Sequence, residues 1–189
     1  MKKNNYGFTL VELMIGIAII AILTATAIPA IKAWIPNYRL KAAGRDLFST
    51  LQKVRLLAVK KNSTHAVLFD TAAGTYQIFN SSGADNTWGT ADDIPERPPT
   101  ALSNYGSGIA YGHGNATINA TVAGGGIFPG DDVSYTGNML AFNSRGMLAG
   151  LGGYVYLSNN INSACAVGTP TTTGNVVFRK WFPGSSSWD

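Results

Sequence analysis

The first pattern in the chain is an apolar run near its start. From Phe8 to Ile31 the one charged side chain is Glu12. A helix of this length extends roughly 36 Å at about 1.5 Å per residue, enough to cross the hydrocarbon layer of a bilayer. Lys2 and Lys3 precede the run, and flanking basic residues favour a cytoplasmic N-terminus. We therefore predict a membrane-spanning helix over residues 8–31, with the rest of the chain outside the cytoplasm.

A second helical pattern follows the apolar run. Apolar residues recur every three or four positions, which is the spacing of one face of an amphipathic helix. They are Leu40, Ala43, Leu47, Leu51, Val54 and Ala58. We predict that one long helix covers residues 8–62 and that this stripe packs against a sheet.

After residue 62 the pattern changes to short apolar segments separated by glycine-containing turns. Segments 66–69 and 75–79 flank a loop that ends in Gly74, which predicts a β-hairpin. Weaker candidate strands are 102–105, 117–122, 139–142, 154–157 and 175–178. The predicted fold class is α+β, in which a long N-terminal helix packs on an antiparallel β domain of residues 63–189.

Composition and charge add two constraints. Cys165 is the one cysteine, so an intramolecular disulfide is excluded and the domain must be held by its core. The net charge of +4 falls to +2 without Lys2 and Lys3. Eight basic residues lie between Lys32 and Lys61, where Asp46 is the one acid. These cations form either a solvated helix face or a contact with acidic protein surfaces or anionic lipid headgroups.

A carboxylate four residues into an apolar span is costly without a partner, so Glu12 needs an explanation. Gly7, Phe8 and Glu12, with the basic leader and the apolar run, resemble the processing site of type IV prepilins and type II secretion pseudopilins. In that family a membrane peptidase cuts after the glycine and methylates the new N-terminal phenylalanine. The resemblance implies that residues 1–7 are a cleaved leader and that Gly7 and Phe8 flank the cleaved bond.

The same resemblance implies an assembly role for Glu12. Its carboxylate would attract the N-terminal amine of a neighbouring subunit's Phe8. In low dielectric the two charges attract strongly, while either one alone has a large desolvation penalty. Docking one subunit on the next would satisfy both and specify an axial stagger between apolar helices. A plain signal anchor is the alternative interpretation of the segment.

Two local patterns extend the resemblance to minor pilins and pseudopilins of the FimT/GspH kind. They are Leu140-Ala-Phe142-Asn-Ser-Arg145-Gly146 and Gly174-Asn175-Val-Val-Phe178-Arg179. Many major pilins close a C-terminal loop with a disulfide, which this chain cannot form. This difference favours a minor subunit.

The expected function is therefore that of a non-enzymatic structural subunit of a type IV pilus or related filament. A minor pseudopilin of type II secretion and a DNA-binding uptake receptor are the alternatives. The resemblance implies three kinds of protein partner: prepilin peptidase, other pilin or pseudopilin subunits, and inner-membrane assembly proteins. It also implies a single-pass bacterial inner-membrane precursor with a periplasmic domain, followed by an extracytoplasmic filament.

An acidic segment is the candidate metal site. Asp85, Asn86, Asp92 and Asp93 bracket Gly89, and such oxygen ligands suit a hard cation. The segment is similar to calcium-binding loops of some secretion pseudopilins. The resemblance requires no cofactor, and calcium is the candidate ligand. An Asx-turn in a solvated acidic loop is the alternative interpretation.

A second candidate site lies near the C-terminus. Arg179 and Lys180 stand beside Trp181 and Phe182, and cations next to aromatic rings suit phosphate contact and base stacking. Some FimT-like subunits are thought to take up DNA through a basic C-terminal stretch, although Asn175 departs from that pattern. We expect weak DNA binding at most, because two cations neutralise only about two phosphates. A strand end whose aromatic rings pack on the sheet is the alternative.

Motifs for catalysis are lacking in the sequence. His65, His113 and Cys165 are not at metal-ligand spacing from one another, which argues against a zinc site. No nucleophile elbow, phosphate-binding glycine loop or dinucleotide motif occurs in the right context. We therefore expect no enzymatic activity.

Overall fold

A long helix leads into two antiparallel sheets in the computed structural model, which describes residues 7–121, 126–182 and 187–189. Helix α1 spans Leu10–Lys60. The chain divides into two compact units, residues 1–35 and 36–189. Apart from Gly7, the predicted leader lies outside the described residues.

In the first unit, α1 carries its apolar side chains without a surrounding core. Between Leu10 and Ile31 every leucine, isoleucine, valine and methionine side chain is 52–73% exposed. The hydroxyl of Thr24 donates to the carbonyl of Ile20, and that of Thr26 to Leu23. Among the residues that the structure describes, no helix combines the length and apolarity required to cross a bilayer. The membrane span over residues 8–31 stays a prediction.

In the second unit, α1 buries the predicted stripe. Its members are at most 3% exposed: Leu40, Ala43, Leu47, Leu51, Val54 and Ala58. The helix ends at Lys60, two residues before the predicted end. Asn62 has a φ of 49°, in the left-handed region that commonly follows a helix C-terminus. The amphipathic helix is thus confirmed.

Ten strands follow the helix within the described part of the chain. In chain order they are β1 (His65–Asp70), β2 (Thr75–Ser81), β3 (Ile94–Pro95), β4 (Thr100–Ala101), β5 (Ala110–Tyr111), β6 (Met139–Phe142), β7 (Gly153–Ser158), β8 (Ala164–Thr169), β9 (Val177–Phe182) and β10 (Ser187–Trp188). The first sheet has the order β3-β2-β1-β6, with β4 also paired to β2. The second sheet has the order β10-β9-β8-β7-β5.

Register follows the hydrophobic pattern in the first sheet. Val67 of β1 lies opposite Ile78 of β2, which confirms the predicted hairpin. On its other side Val67 lies opposite Leu140 of β6, one of the weaker predicted strands. Gly74, with a φ of +65°, occupies the left-handed position that the hairpin loop requires.

Two clusters of buried side chains hold the second unit together. The main core lies beneath α1 and takes residues from both sheets, including Ile78 and Leu140 from the first and Leu157 and Val167 from the second. A smaller cluster covers the outer face of the second sheet and contains Tyr154, Tyr156, Trp181 and Trp188. The predicted α+β fold class is confirmed.

Several of the weaker strand predictions are wrong. Residues 102–105 form a short 3-10 helix, and residues 117–121 form no strand; Val122 lies outside the described residues. β9 begins at Val177 rather than at residue 175 and continues to Phe182. The prediction also misses β8, the central strand of the second sheet. Its six residues are all buried, so no polar alternation marks the strand.

Candidate functional site

The predicted cleavage site is sterically open. At Gly7 no described atom approaches within 4 Å of the position that a Cβ would take. Phe8 is 89% exposed, and α1 begins two residues later at Leu10. The Gly7-Phe8 bond therefore lies in accessible chain just before the helix.

Glu12 lies in the first turn of α1 and forms a reciprocal cap with Thr9. The backbone N–H and the hydroxyl of Thr9 donate to Glu12 Oε2 at 3.0 and 2.8 Å. The Glu12 N–H donates in return to Thr9 Oγ1 at 3.2 Å. This capping box satisfies two backbone donors at the helix start, where a carboxylate also suits the helix dipole. The spacing Thr9-x-x-Glu12 is the sequence signal of a capping box. It gives Glu12 a structural role in addition to the predicted role in assembly.

Carboxylates in loop 83–93 hold the backbone of their own loop. Asp92 Oδ2 accepts from the N–H of Ala84 at 2.7 Å. Asp93 Oδ2 accepts from the N–H groups of Gly89 and Thr90 at 2.6 and 3.2 Å. Hydrogen bonds from the Thr90 hydroxyl and then from the Ala84 N–H lower the pKa of Asp92. The loop is thus organised around the side chains of Asp92 and Asp93.

The predicted Asx-turn is present in the same loop. Asp85 Oδ1 accepts from the N–H of Thr87 at 2.7 Å, and Asn86 adopts a left-handed φ of 55°. Asp93 is 8% exposed, and its Oδ1 has no hydrogen-bond partner among the described residues. Across the described part of the chain, no three His, Cys, Asp or Glu side chains converge as metal ligands would. Calcium binding by Asp85, Asn86, Asp92 and Asp93 stays untested.

The histidines and the cysteine have separate structural roles. His65 is buried, with Nδ1 3.1 Å from the carbonyl oxygen of Ser63. His113 Nδ1 lies 2.5 Å from Asp132 Oδ1. Cys165 is fully buried, and burial raises its pKa to about 12. A thiol in this environment is a core side chain and a poor nucleophile.

The two cations proposed for DNA lie on opposite faces of β9. Side chains alternate along a strand, and Trp181 belongs to the outer cluster while Phe178 packs on the core beneath α1. Arg179 therefore lies on the outer face, where its guanidinium is 5.8 Å from the centre of the Tyr154 ring. Lys180 lies on the other face. The pair does not form one phosphate site.

The two patterns that resemble the FimT/GspH kind meet in space. At Gly146, with a φ of 73°, the N–H donates to the Asn143 carbonyl at 2.8 Å and closes a turn after β6. The Gly146 carbonyl accepts from Arg55 Nε at 2.9 Å, which ties this turn to α1. A Cβ at Gly174 would meet the same carbonyl and the ring of Phe142. Both patterns therefore serve packing between helix, turn and sheet.

Comparison with known proteins supports the interpretation of the N-terminus. Residues 2–28 match the family model described as the prokaryotic N-terminal methylation motif. The chain is 34% identical over 121 residues to the type IV major alpha-pilin of Moraxella bovis. That match covers 61% of this chain and 67% of the pilin.

The fold has a solved counterpart. The structure is similar to the type IV minor pilin FimU of Pseudomonas aeruginosa, with a TM-score of 0.50 over 82% of this chain and 96% of that protein. At 13% identity this likeness concerns the fold alone. With the methylation motif, the related pilin and the shared arrangement of helix and sheets, the chain belongs to the type IV pilin family.

Proposed function

We propose that this chain is a structural, non-enzymatic subunit of a type IV pilus or related filament. The observation that carries the proposal is the apolar first half of α1, exposed along its length behind an accessible Gly7-Phe8 bond. An apolar surface of this extent marks contact with a membrane or with other proteins. In the precursor the helix would hold the chain in the bacterial inner membrane, with the domain in the periplasm. After cleavage by prepilin peptidase and transfer by inner-membrane assembly proteins, the same surface would pack against neighbouring subunits.

Within this function we favour a minor subunit of the FimT/GspH kind. Cys165 is buried and is the one cysteine, so the disulfide-closed loop of many major pilins is excluded. A minor pseudopilin of type II secretion shares the leader, helix and fold class, and the neighbouring genes would separate the two. An uptake receptor for DNA is less favoured, since Arg179 and Lys180 lie on opposite faces of β9.

Processing is the first test of the proposed function. We expect the mature chain to begin at Phe8 with a methylated amine, because the cleavage site matches the family motif and is accessible. Mass spectrometry of membrane and sheared-filament fractions measures the N-terminal peptide. A strain without the peptidase serves as control and should yield only chains that retain the leader. Chains that begin at Met1 in cells with an active peptidase would contradict the proposal.

We also propose that loop 83–93 binds calcium, with Asp85, Asn86, Asp92 and Asp93 as ligands. The buried Oδ1 of Asp93, which has no partner among the described residues, favours a cation at this place.

Calcium should therefore stabilise the folded chain. A ligand that binds only the folded state raises the free energy of unfolding by about 2.7 kcal/mol when its concentration is one hundred times its dissociation constant. We expect millimolar calcium to raise the melting temperature of the detergent-solubilised chain relative to chelator. Asp93→Asn should abolish the rise in melting temperature, and Asp70→Asn should retain it. An unchanged melting temperature of the wild-type chain with calcium would contradict calcium binding by this loop.

A further inference from the structure

Side-chain hydrogen bonds fix where α1 begins, close to the predicted cleavage bond. The helix starts at Leu10, and the N–H of Leu13 donates to the carbonyl of Thr9 at 3.2 Å. Gly7, Phe8 and Thr9 lie outside the helix. Hydrolysis of the Gly7-Phe8 bond adds one water and leaves a carboxylate on Gly7 and an amine on Phe8. Helical structure thus begins two residues after the bond that reacts.

The capping box takes a donor away from the carbonyls next to this bond. In a helix each N–H donates to the carbonyl four residues earlier, so a longer helix would pair the Glu12 N–H with the Phe8 carbonyl. One residue further, the Gly7 carbonyl would accept from Val11. The Glu12 N–H donates instead to Thr9 Oγ1 at 3.2 Å. An N-cap residue also has non-helical backbone angles, so the helix does not continue past it.

The described part of the chain offers no packing that would hold the cleavage bond out of the helix. Phe8 is 89% exposed, and no described atom lies within 4 Å of the position that a Cβ at Gly7 would take. An N–H without a partner is costly, so without the Thr9 hydroxyl the Glu12 N–H would turn to the Phe8 carbonyl. A helical bond is cut poorly, because its carbonyl and N–H are already paired and the chain cannot extend through a peptidase cleft.

We propose that Thr9 is a positioning residue for the cleavage reaction: its hydroxyl starts α1 at Leu10 and keeps the Gly7-Phe8 bond in the open chain that the peptidase binds. Thr9 acts through the backbone and need not touch the peptidase. The inference rests on the proposed processing at this bond and adds the residue that keeps the bond cleavable. It also separates two roles within the box, since the Thr9 hydroxyl serves cleavage and the Glu12 charge serves assembly.

Cleavage of the full-length precursor by prepilin peptidase in detergent tests this role. A peptidase that binds only the open form has less substrate available when part of it is helical, so KM rises while kcat is unchanged. We expect Thr9→Ala to raise KM severalfold, up to about fivefold, because loss of an N-cap typically shifts the helix equilibrium by about that factor. Mass spectrometry of the released leader over time gives both constants.

Two replacements separate the cap from recognition of the hydroxyl itself. Thr9→Asn has no hydroxyl, but its side-chain oxygen accepts from the Glu12 N–H, and asparagine is among the best N-cap residues. It should restore the wild-type KM. Thr9→Val keeps the shape of threonine without an acceptor and should behave like Thr9→Ala. A Thr9→Asn precursor as poor as Thr9→Val would show that the peptidase reads the hydroxyl directly, which overturns the positioning role.

Two variants serve as matched controls. Glu12→Gln keeps a side-chain oxygen for the Thr9 N–H and its own N–H for the Thr9 hydroxyl, so its KM should equal that of wild type. Thr24→Ala removes another threonine hydroxyl from the same helix, one that donates to the Ile20 carbonyl at 2.8 Å. That change lies far from the cleavage bond and should leave KM unchanged.

Two further results would overturn the role of Thr9: a Thr9→Ala precursor with the wild-type KM, or a loss confined to kcat. A wild-type precursor that active peptidase does not cut would instead contradict the proposed processing itself. In cells, cleavage has the whole growth period to finish. A severalfold higher KM should therefore leave the amount of mature chain near the wild-type level while its appearance in a pulse-chase experiment is delayed.

Discussion

Glu12→Gln should insert into the membrane at the wild-type level but be depleted from filaments by roughly 100-fold or more. The amide keeps an oxygen that can accept the hydrogen bonds from Thr9, so the cap of α1 is retained. What is lost is the negative charge proposed to pair with the N-terminal amine of a neighbouring subunit's Phe8. Removing one partner of a buried ion pair costs about 3–5 kcal/mol. Immunoblots of membranes and of sheared filaments measure the two populations.

A control variant weakens the helix cap and keeps the charge of Glu12. Thr9→Ala removes the hydroxyl from the capping box while the carboxylate stays, so filaments should form at near the wild-type level. Glu12→Ala removes both features and should behave like Glu12→Gln. Normal incorporation of Glu12→Gln together with failure of Thr9→Ala would assign Glu12 to the helix cap and exclude the proposed pairing.

Gly44→Ala should destabilise the β domain, although alanine is the better helix former. A Cβ at Gly44 would lie 2.6 Å from Phe178 Cε2 and 2.8 Å from Cys165 Sγ, closer than real atoms approach. Overpacking costs about 1–3 kcal/mol, and the gain in helix propensity returns at most about 1 kcal/mol. We expect the melting temperature of the full chain in detergent to fall by a few degrees, since 1 kcal/mol corresponds to about 2–4 °C in a domain of this size. Gly44→Val should lower it further.

Gly16→Ala is the matched control, because nothing lies within 4 Å of the Cβ position at Gly16 in the same helix. That substitution should leave the melting temperature of the domain unchanged. Adding Cys165→Ala to Gly44→Ala should recover part of the lost melting temperature, because Cys165 Sγ is one of the two atoms that a Cβ at Gly44 would meet. Equal melting temperatures for Gly44→Ala and wild type would show that the sheet moves away from the helix at little cost.

The elements predicted correctly are those whose signal is local. The stripe from Leu40 to Ala58 has the period of a helix with one buried face. Segments 66–69 and 75–79 are short and mostly apolar, and they flank a loop that ends in a glycine. β8 has no such signal because its own residues are small or apolar and all six of them are buried. Residues 102–105 contain Leu102 and Tyr105, but their backbone closes a 3-10 turn instead of pairing with a strand.

The candidate sites divide in the same way. Gly7, Phe8 and Glu12 lie within six consecutive residues. The methylation motif can therefore be identified from the sequence without knowledge of the fold. The orientation of Arg179 and Lys180 depends on β9 being a strand with both faces covered. The hydrogen bonds that fix the carboxylates of Asp92 and Asp93 likewise depend on the folded loop.

The position of β1 between its two neighbours has a consequence for the order of folding. Its partner β2 follows after a short turn, whereas its other partner, β6, lies far along the chain. Pairs close in sequence form early, and distant pairs wait for the intervening chain. During synthesis from the N-terminus, the edge of β1 from His65 to Leu68 stays unpaired until β6 has been made. An open apolar edge pairs readily with other chains, so this interval is when the subunit is most prone to aggregate or to need a chaperone.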